Sequence, residues 1–138
     1  MSHPAGLPDL FLDRSLGRIT VPRLLRDAGL RLLTLSEHYG IPADEVVPDE
    51  EWLELAGLRG WAVLMKDKRI RYNRRERDVV RTHRVRCFCL SSQRLTGEEM
   101  ARRYLRSLDA ITRACQEDGP FIYAVHHNRI ERLTLSAL

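Results

Sequence analysis

Residues 49–67 read DEEWLELAGLRGWAVLMKD, and this stretch decides the fold. Its first half repeats apolar residues at helical spacing from Asp49, and Gly57 and Gly60 close that segment. Its second half, WAVLM, is an unbroken apolar run that is too short for a helix and typical of a buried strand. The stretch therefore predicts a helix followed directly by a strand of a parallel sheet, which ends just before Asp67.

The same alternation extends through the rest of the chain. Strands separated by helical segments of about a dozen residues predict a mainly parallel sheet, because parallel pairing needs crossover connections. Thr96, with Glu99 three residues later, predicts the start of the longest helix. We therefore expect an α/β fold with a mainly parallel sheet of four to five strands and helices on both faces. The other strands are expected at Leu10–Leu12, Leu30–Leu35, Val85–Leu90 and Phe121–Val125, with Ile130–Leu135 as an extension or an edge piece.

Length and composition indicate an ordinary globular chain. Its 138 residues, 43% hydrophobic and 30% charged, fit a single domain over residues 1–138. The apolar runs are far shorter than the roughly 20 residues that cross a bilayer, and the N-terminus lacks the pattern of a secretory signal. We therefore expect a cytoplasmic protein without a membrane partner. The odd count of three cysteines predicts free thiols rather than a disulfide framework.

Positive charge is concentrated in one segment. Residues 66–86 carry ten Lys or Arg against three acidic residues, a net of +7, whereas the whole chain carries +4. Arginine and lysine pair with phosphates, so the segment predicts a binding surface for a polyanion. An arginine-rich helix face exposed to solvent is the alternative interpretation.

Three aspartates are placed in a pattern that suits a metal ion. Asp13 and Asp67 each follow an apolar strand, and Asp49 begins the helix that leads into the second of these strands. The carboxyl ends of parallel strands form the ligand-binding edge of such a sheet. Clustered carboxylates repel one another, and a hard divalent cation relieves that repulsion. Each aspartate alone is explained equally well as a cap or turn residue, but their joint placement beside a basic segment favours a metal site for phosphodiester hydrolysis.

These residues resemble a known family. The motifs Phe11-Leu12-Asp13, Asp49–Trp52 with Ala56, and Val63–Asp67, at their spacing here, are similar to those of the PIN-domain superfamily. The closer resemblance is to its compact PIN-like branch and to the VapC-type toxins of bacterial toxin–antitoxin pairs. It implies a compact three-layer α/β/α fold, ribonuclease activity that depends on Mg²⁺ or Mn²⁺, and a cognate antitoxin that blocks the site. A homodimer is also plausible from the resemblance.

Carried onto this sequence, the resemblance implies that Asp13, Asp49 and Asp67 are the catalytic metal ligands. Met65 stands where the family usually has Thr or Ser, a departure that removes a hydrogen-bonding side chain but no ligand. Glu37 is the best match to a further catalytic glutamate of larger members. We expect one or two ions between the aspartates, with water attacking the phosphorus in line. Spacing leaves Asp44, Glu45, Glu50 and Glu51 open as alternatives to Glu37.

Lys68, Arg69 and Arg71 directly follow the last of these acids, so we expect them to hold the RNA backbone; ordinary surface charge is the alternative. Two other functions stay open. One is a PIN-like protein without catalysis that binds other proteins. The other is a helix-turn-helix DNA-binding protein, with a first helix over 30–38 and a recognition helix from Ala43. That second helix would carry acidic rather than basic side chains, which disfavours DNA binding.

Overall fold

The computed structural model of the chain describes residues 2–66, 70 and 72–135. Within this part of the chain, the strands form one six-stranded sheet: β1 Leu10–Leu12, β2 Leu32–Thr34, β3 Ala62–Met65, β4 Arg86–Leu90, β5 Phe121–Val125 and β6 Ile130–Leu133. Their order is β2-β1-β3-β4-β5-β6. The first five strands are parallel, and β6 pairs antiparallel with β5. The predicted α/β class and mainly parallel sheet are confirmed, and the expected edge piece is a sixth strand.

Six α-helices connect these strands in the described part of the chain. They are α1 Thr20–Asp27, α2 Leu35–Tyr39, α3 Asp49–Arg59, α4 Arg74–Thr82, α5 Gly97–Arg106 and α6 Leu108–Ala114. Two short 3₁₀ turns, Arg14–Leu16 and Ala43–Glu45, lie between β1 and α1 and between α2 and α3. Helix α3 begins at Asp49, as predicted, and ends at Arg59, where it is followed by Gly60, whose positive φ of 70° favours glycine.

Two apolar cores lie on opposite faces of the sheet. Successive residues of a strand point to opposite faces, so Leu10 and Leu12 pack into one core and Phe11 into the other. Helices α1, α5 and α6 cover the first core, and α2, α3 and α4 cover the second. This arrangement is the three-layer α/β/α fold. The helical side chains involved include Val21, Leu25, Met100, Tyr104 and Ile111 on the first face, and Leu35, Trp52, Leu53 and Val80 on the second.

Residues 30–38 do not form the helix that a helix-turn-helix would need. Leu32–Thr34 is a strand paired in parallel with β1, and Thr34 then caps the short helix α2. Ala43–Glu45 is a single 3₁₀ turn rather than a recognition helix. The helix-turn-helix alternative is therefore wrong, because the apolar residues before Ser36 form a strand of the sheet instead of a helix.

The predicted long helix after Thr96 is divided into two. Thr96 caps α5 by accepting a hydrogen bond from the backbone N–H of Glu99 at 3.1 Å, as expected. The helix ends at Arg106, and Ser107 (φ −99°, ψ 13°) leaves helical geometry before α6 begins. Tyr104 and Leu108 continue the buried stripe across the break. Periodicity alone therefore predicts one helix, since the break does not interrupt the apolar pattern.

Two observations concern the predictions drawn from composition. Cys87, Cys89 and Cys115 are buried free thiols, as expected. In the described part of the chain, no helix combines the length and the apolar character that a bilayer crossing requires.

Candidate active site

The sheet order creates a switch point between β1 and β3. The chain leaves β1 first toward β2 on one side, and the later strands are added on the other side. In open parallel sheets, ligands bind at such a point, outside the carboxyl ends of the strands. The backbone N–H of Asp13 donates to the carbonyl of Leu64 at 3.3 Å, so pairing of β1 with β3 continues to Asp13. Asp13 therefore lies at the edge where the sequence predicts the site.

Asp13 is a buried carboxylate that is costly to keep charged. Its side chain is only 6% exposed. Its Oδ1 accepts hydrogen bonds from the backbone N–H of Ser15 at 3.1 Å and from the Ser15 hydroxyl. Burial raises the pKa of Asp13 to about 7, and the Asp49 carboxylate adds to the rise against the lowering effect of the Ser15 bonds. A cation beside Asp13 would stabilise its charged form.

Asp44 is a second buried aspartate with the opposite electrostatics. It is 3% exposed, but Arg18 donates two hydrogen bonds to its carboxylate, at 3.0 and 2.9 Å. These bonds hold the pKa of Asp44 below its usual range despite burial. Arg18 also pairs with Glu45 at 3.4 Å. Arg18 thus pairs with both of these alternative acids, and we assign them a structural role.

Asp49 is anchored at the start of α3 by two donors. Its Oδ1 accepts from Arg14 Nη1 at 3.1 Å and from the indole N–H of the buried Trp52 at 2.9 Å. Arg14 also donates to the backbone carbonyls of Asp44 at 3.2 Å and Val47 at 2.5 Å. Because Arg14 follows Asp13 directly, it ties the start of α3 to the end of β1. Two of the three predicted ligands are therefore brought close enough for their charges to interact.

Ser15 is a site residue that sequence reasoning missed. Its hydroxyl donates to Asp13 and accepts from the backbone N–H of Lys66 at 2.9 Å, which joins the turn after β1 to the end of β3. The carbonyl of Lys66 accepts from Gln93 Nε2 at 3.1 Å, so the loop after β4 reaches the same place. The signal in the sequence was Asp13 directly after a strand, because an aspartate side chain often accepts from the backbone N–H two residues on, which forms an Asx turn.

The remaining predicted residues at this point lie outside the described part of the chain. They are Asp67, the predicted third ligand, and Lys68, Arg69 and Arg71, the predicted RNA contacts. Lys66, which precedes Asp67 in the sequence, is the last described residue before them. Their roles stay predictions that rest on the sequence.

The Glu37 carboxylate caps α2 and pairs with Arg26. Its carboxylate accepts from the backbone N–H of Thr34 at 2.9 Å, while Thr34 Oγ1 accepts from the N–H of Glu37, which together form a capping box. Arg26 donates to the same carboxylate at 2.7 Å and is the main cause of its lowered pKa. These contacts explain Glu37 without a metal. Glu51 interacts with Tyr39, and Glu50 lies half-buried in the first turn of α3.

Comparison with known proteins identifies the family. The family profile described as "PIN like domain" matches residues 8–92, more than half of the chain. The chain belongs to the PIN-like domain family. A curated relative from Mycobacterium tuberculosis (strain ATCC 25618 / H37Rv), named "Putative ribonuclease VapC45", is 45% identical over 129 residues, which cover 94% of each chain. The resemblance to VapC-type proteins is thereby confirmed. No solved structure matches the chain.

The acids of this PIN-like domain fit a hard cation, although the described residues do not complete a site. Among residues 2–66, 70 and 72–135, no group of three or more His, Cys, Asp or Glu side chains is placed to hold an ion. Asp13 and Asp49 supply two carboxylates, and the predicted third, Asp67, lies outside that part of the chain. All of these candidate ligands are carboxylates, and that of Asp13 is buried and readily protonated. Mg²⁺ and Mn²⁺ prefer carboxylate oxygens as ligands, whereas softer metals prefer nitrogen or sulfur.

Proposed function

We propose that this chain is an endoribonuclease that depends on Mg²⁺ or Mn²⁺ and is the toxin of a type II toxin–antitoxin pair. The observation that carries the proposal is Asp13, a buried carboxylate with a pKa raised to about 7, at the switch point of a parallel sheet and beside Asp49. Membership of the PIN-like family and the ribonuclease name of the relative support this activity.

Asp13, Asp49 and Asp67 would hold the ion. In the described part of the chain, the donors to Asp13 and to Asp49 all use Oδ1, which leaves Oδ2 of each carboxylate for a ligand. A bound divalent ion supplies a water of lowered pKa for attack on phosphorus and offsets the charge on the phosphate oxygens.

Ser15 and Arg14 position these acids. Ser15 fixes the rotamer of Asp13 and the backbone at Lys66, and Arg14 fixes Asp49 relative to Asp13. Neither residue needs to contact the RNA. Both act by holding oxygen atoms in place before substrate arrives.

We further propose the partners and context that belong to this activity. Lys68, Arg69 and Arg71 would hold the RNA backbone next to the acids, and a cognate antitoxin would cover the site. The protein would act in the cytoplasm, as one PIN-like domain over residues 1–138, and two copies would form a homodimer. Glu37 would at most support the site from its cap on α2.

The deciding experiment is cleavage of a mixed cellular RNA pool by the purified protein with Mn²⁺, with Mg²⁺ and with a chelator. The variants are Asp13→Asn and Asp67→Asn. Asp9→Asn is the matched control, because Asp9 lies at the opposite end of β1 in an exposed ion pair with Arg31. We expect cleavage only with metal, abolished by either site variant and unchanged in the control.

Two outcomes would contradict the proposal. Wild-type activity in Asp13→Asn or Asp67→Asn would refute the site assignment. A protein freed of any antitoxin that leaves RNA intact with both metals would indicate the alternative, a PIN-like protein that only binds.

A further inference from the structure

One carboxylate on α5 holds three arginines. Glu99 lies in the first turn of the helix and pairs with Arg102 at 3.1 Å, Arg103 at 3.3 Å and Arg106 at 3.2 Å. These bonds lower the pKa of Glu99 to about 2, and the bond from Arg102 contributes most to the lowering. The carboxylate is therefore ionised throughout the neutral range. A single negative charge among three guanidinium groups leaves a local excess of two positive charges.

The excess charge is fixed in place and partly open to solvent. The side chains of Arg102 and Arg106 are 59% and 37% exposed, whereas that of Arg103 is 15% exposed. Arg106 also donates to the backbone carbonyl of His127 at 3.1 Å, which ties the helix to the loop after β5. A guanidinium has five N–H donors, so each exposed arginine keeps donors for a further acceptor. Donors fixed in advance bind phosphate oxygens with less loss of side-chain entropy.

The cluster lies along the same edge of the sheet as Asp13. Helix α5 follows β4, and the Tyr104 hydroxyl contacts the carbonyls of Met65 at 2.8 Å and Phe88 at 3.1 Å, near the carboxyl ends of β3 and β4. His127 follows β5 at that edge, with its ring 64% exposed and Nδ1 3.7 Å from Glu99. A pocket of about 580 Å³ also lies near this edge, and its lining includes Arg14, Asp44 and Glu45 as well as Gly97 at the start of α5. The carboxyl ends of β3, β4 and β5 therefore place the arginine cluster on the same side of the sheet as Asp13.

We propose that Arg102, Arg106 and His127, organised by Glu99, form a second site that binds phosphates of the RNA backbone away from the bond that is cut. This inference rests on the proposed ribonuclease function, because that function is the reason for taking RNA as the bound polyanion. RNA fits because one strand offers phosphates at repeated intervals, so it can contact the acidic site through metal and the arginines directly. The site adds affinity and register, and it takes no part in the cleavage step.

The test is binding of a fluorescein-labelled, mixed-sequence single-stranded RNA of about 20 nucleotides, followed by fluorescence anisotropy in chelator so that no cleavage occurs. The test variant is Arg102→Ala/Arg106→Ala. Its control, Arg31→Ala/Arg59→Ala, removes the same charge from the opposite edge, where Arg31 pairs with Asp9 and Arg59 lies over Trp61. Arg102→Glu alone leaves the Arg106 bond to His127 intact and guards against a folding defect.

We expect about tenfold weaker binding in the test variant, and a plot of log K against log salt that is flatter by about 1.4, since each lost contact with single-stranded RNA removes about 0.7. Arg102→Glu should weaken binding by a similar factor, and the control should keep most of the affinity. If RNA is cleaved, the test variant should raise KM and leave kcat unchanged.

Two results would overturn the second site: affinity and salt slope equal to those of the control double variant, or no binding of RNA by the wild-type protein. Failure of the proposed function is distinguishable from both. A wild-type protein that binds RNA through the arginines but never cleaves it would refute the ribonuclease and support the site.

Discussion

The Asp13→Asn substitution should stabilise the protein when no metal is present. The pKa of Asp13 rises from 3.8 to about 7 on folding. Because one pKa unit corresponds to about 1.4 kcal/mol, keeping Asp13 ionised at pH 8 costs the folded state up to about 4 kcal/mol. Asparagine removes the charge and keeps Oδ1, which still accepts from both donors of Ser15. We therefore expect Asp13→Asn to have a higher free energy of unfolding at pH 8, by about 2–4 kcal/mol.

The gain should depend on pH in a defined direction. Between pH 3.8 and about 7 the folded protein holds a proton on Asp13 that the unfolded chain has lost. The free energy of unfolding of the wild type therefore falls as pH rises through this window and becomes level above it. Below about pH 4 the carboxyl is neutral in both states, so the variant should have little advantage there.

Urea denaturation followed by circular dichroism, in chelator and at a series of pH values from about 4 to 8, measures this difference. Asp9→Asn is again the control, since it removes an exposed carboxylate from the other end of β1 and should show no gain. Added Mn²⁺ should stabilise the wild type and leave Asp13→Asn nearly unchanged. If the variant is no more stable than the wild type at pH 8 in chelator, burial of the Asp13 charge does not destabilise the folded state, and the reasoning is refuted.

Three further substitutions test the surroundings of the site. Ser15→Ala should lower the free energy of unfolding by about 1–2 kcal/mol and raise the pKa of Asp13 further, because it removes two hydrogen bonds; urea denaturation and a pH series measure both. Gly57→Ala should lower Tm despite a gain of about 1 kcal/mol in helix propensity, since a Cβ there would lie 2.5 Å from the carbonyl oxygen of His83; a rise in Tm would contradict this. Glu37→Gln should lower the free energy of unfolding by about 1 kcal/mol at pH 7, and this difference should vanish as pH falls through the lowered pKa of Glu37. The variant should slow RNA cleavage less than tenfold; abolished cleavage would indicate that Glu37 is catalytic.

Buried parallel strands were the most predictable elements. β1 and β5 have the bounds that their apolar runs predict, because a strand covered on both faces leaves no room for polar residues. Gly57 shows the limit of such reasoning. A glycine near the end of an apolar pattern predicts a helix end, yet α3 continues through it to Arg59. Its lack of a side chain is needed for close contact with His83 after α4, which depends on packing between distant segments.

The acids of the site were predictable from topology, but their partners were not. Strand ends placed Asp13 at the ligand-binding edge, and the start of α3 placed Asp49 near it. The roles of Ser15 and Arg14 depend on which backbone atoms the folded chain brings within reach, namely the N–H of Lys66 and the carbonyl of Val47. Sequence spacing carries no information about such contacts.

Two identical local patterns in this chain have different outcomes, and the difference bears on function. Thr34 with Glu37 and Thr96 with Glu99 both predict a capping box. Glu37 completes its box by returning to the N–H of Thr34, although it also accepts from one arginine. Glu99 instead pairs with three arginines that lie three, four and seven residues later on the same side of α5.

Three guanidinium groups offer Glu99 more charge-assisted hydrogen bonds than the single backbone N–H of Thr96 does, which accounts for the direction of its side chain. Helix α5 therefore lacks the second hydrogen bond of a capping box, while the sheet edge carries a fixed group of positive charges. The Asp13 and Asp49 carboxylates lie elsewhere along the same edge, and a cation beside Asp13 would stabilise its charged form. Under the proposed function, one RNA strand would contact both places, with metal at the bond to be cut and arginine at a neighbouring phosphate. If the proposed second site binds RNA, the placement of Glu99 serves substrate binding as well as helix stability.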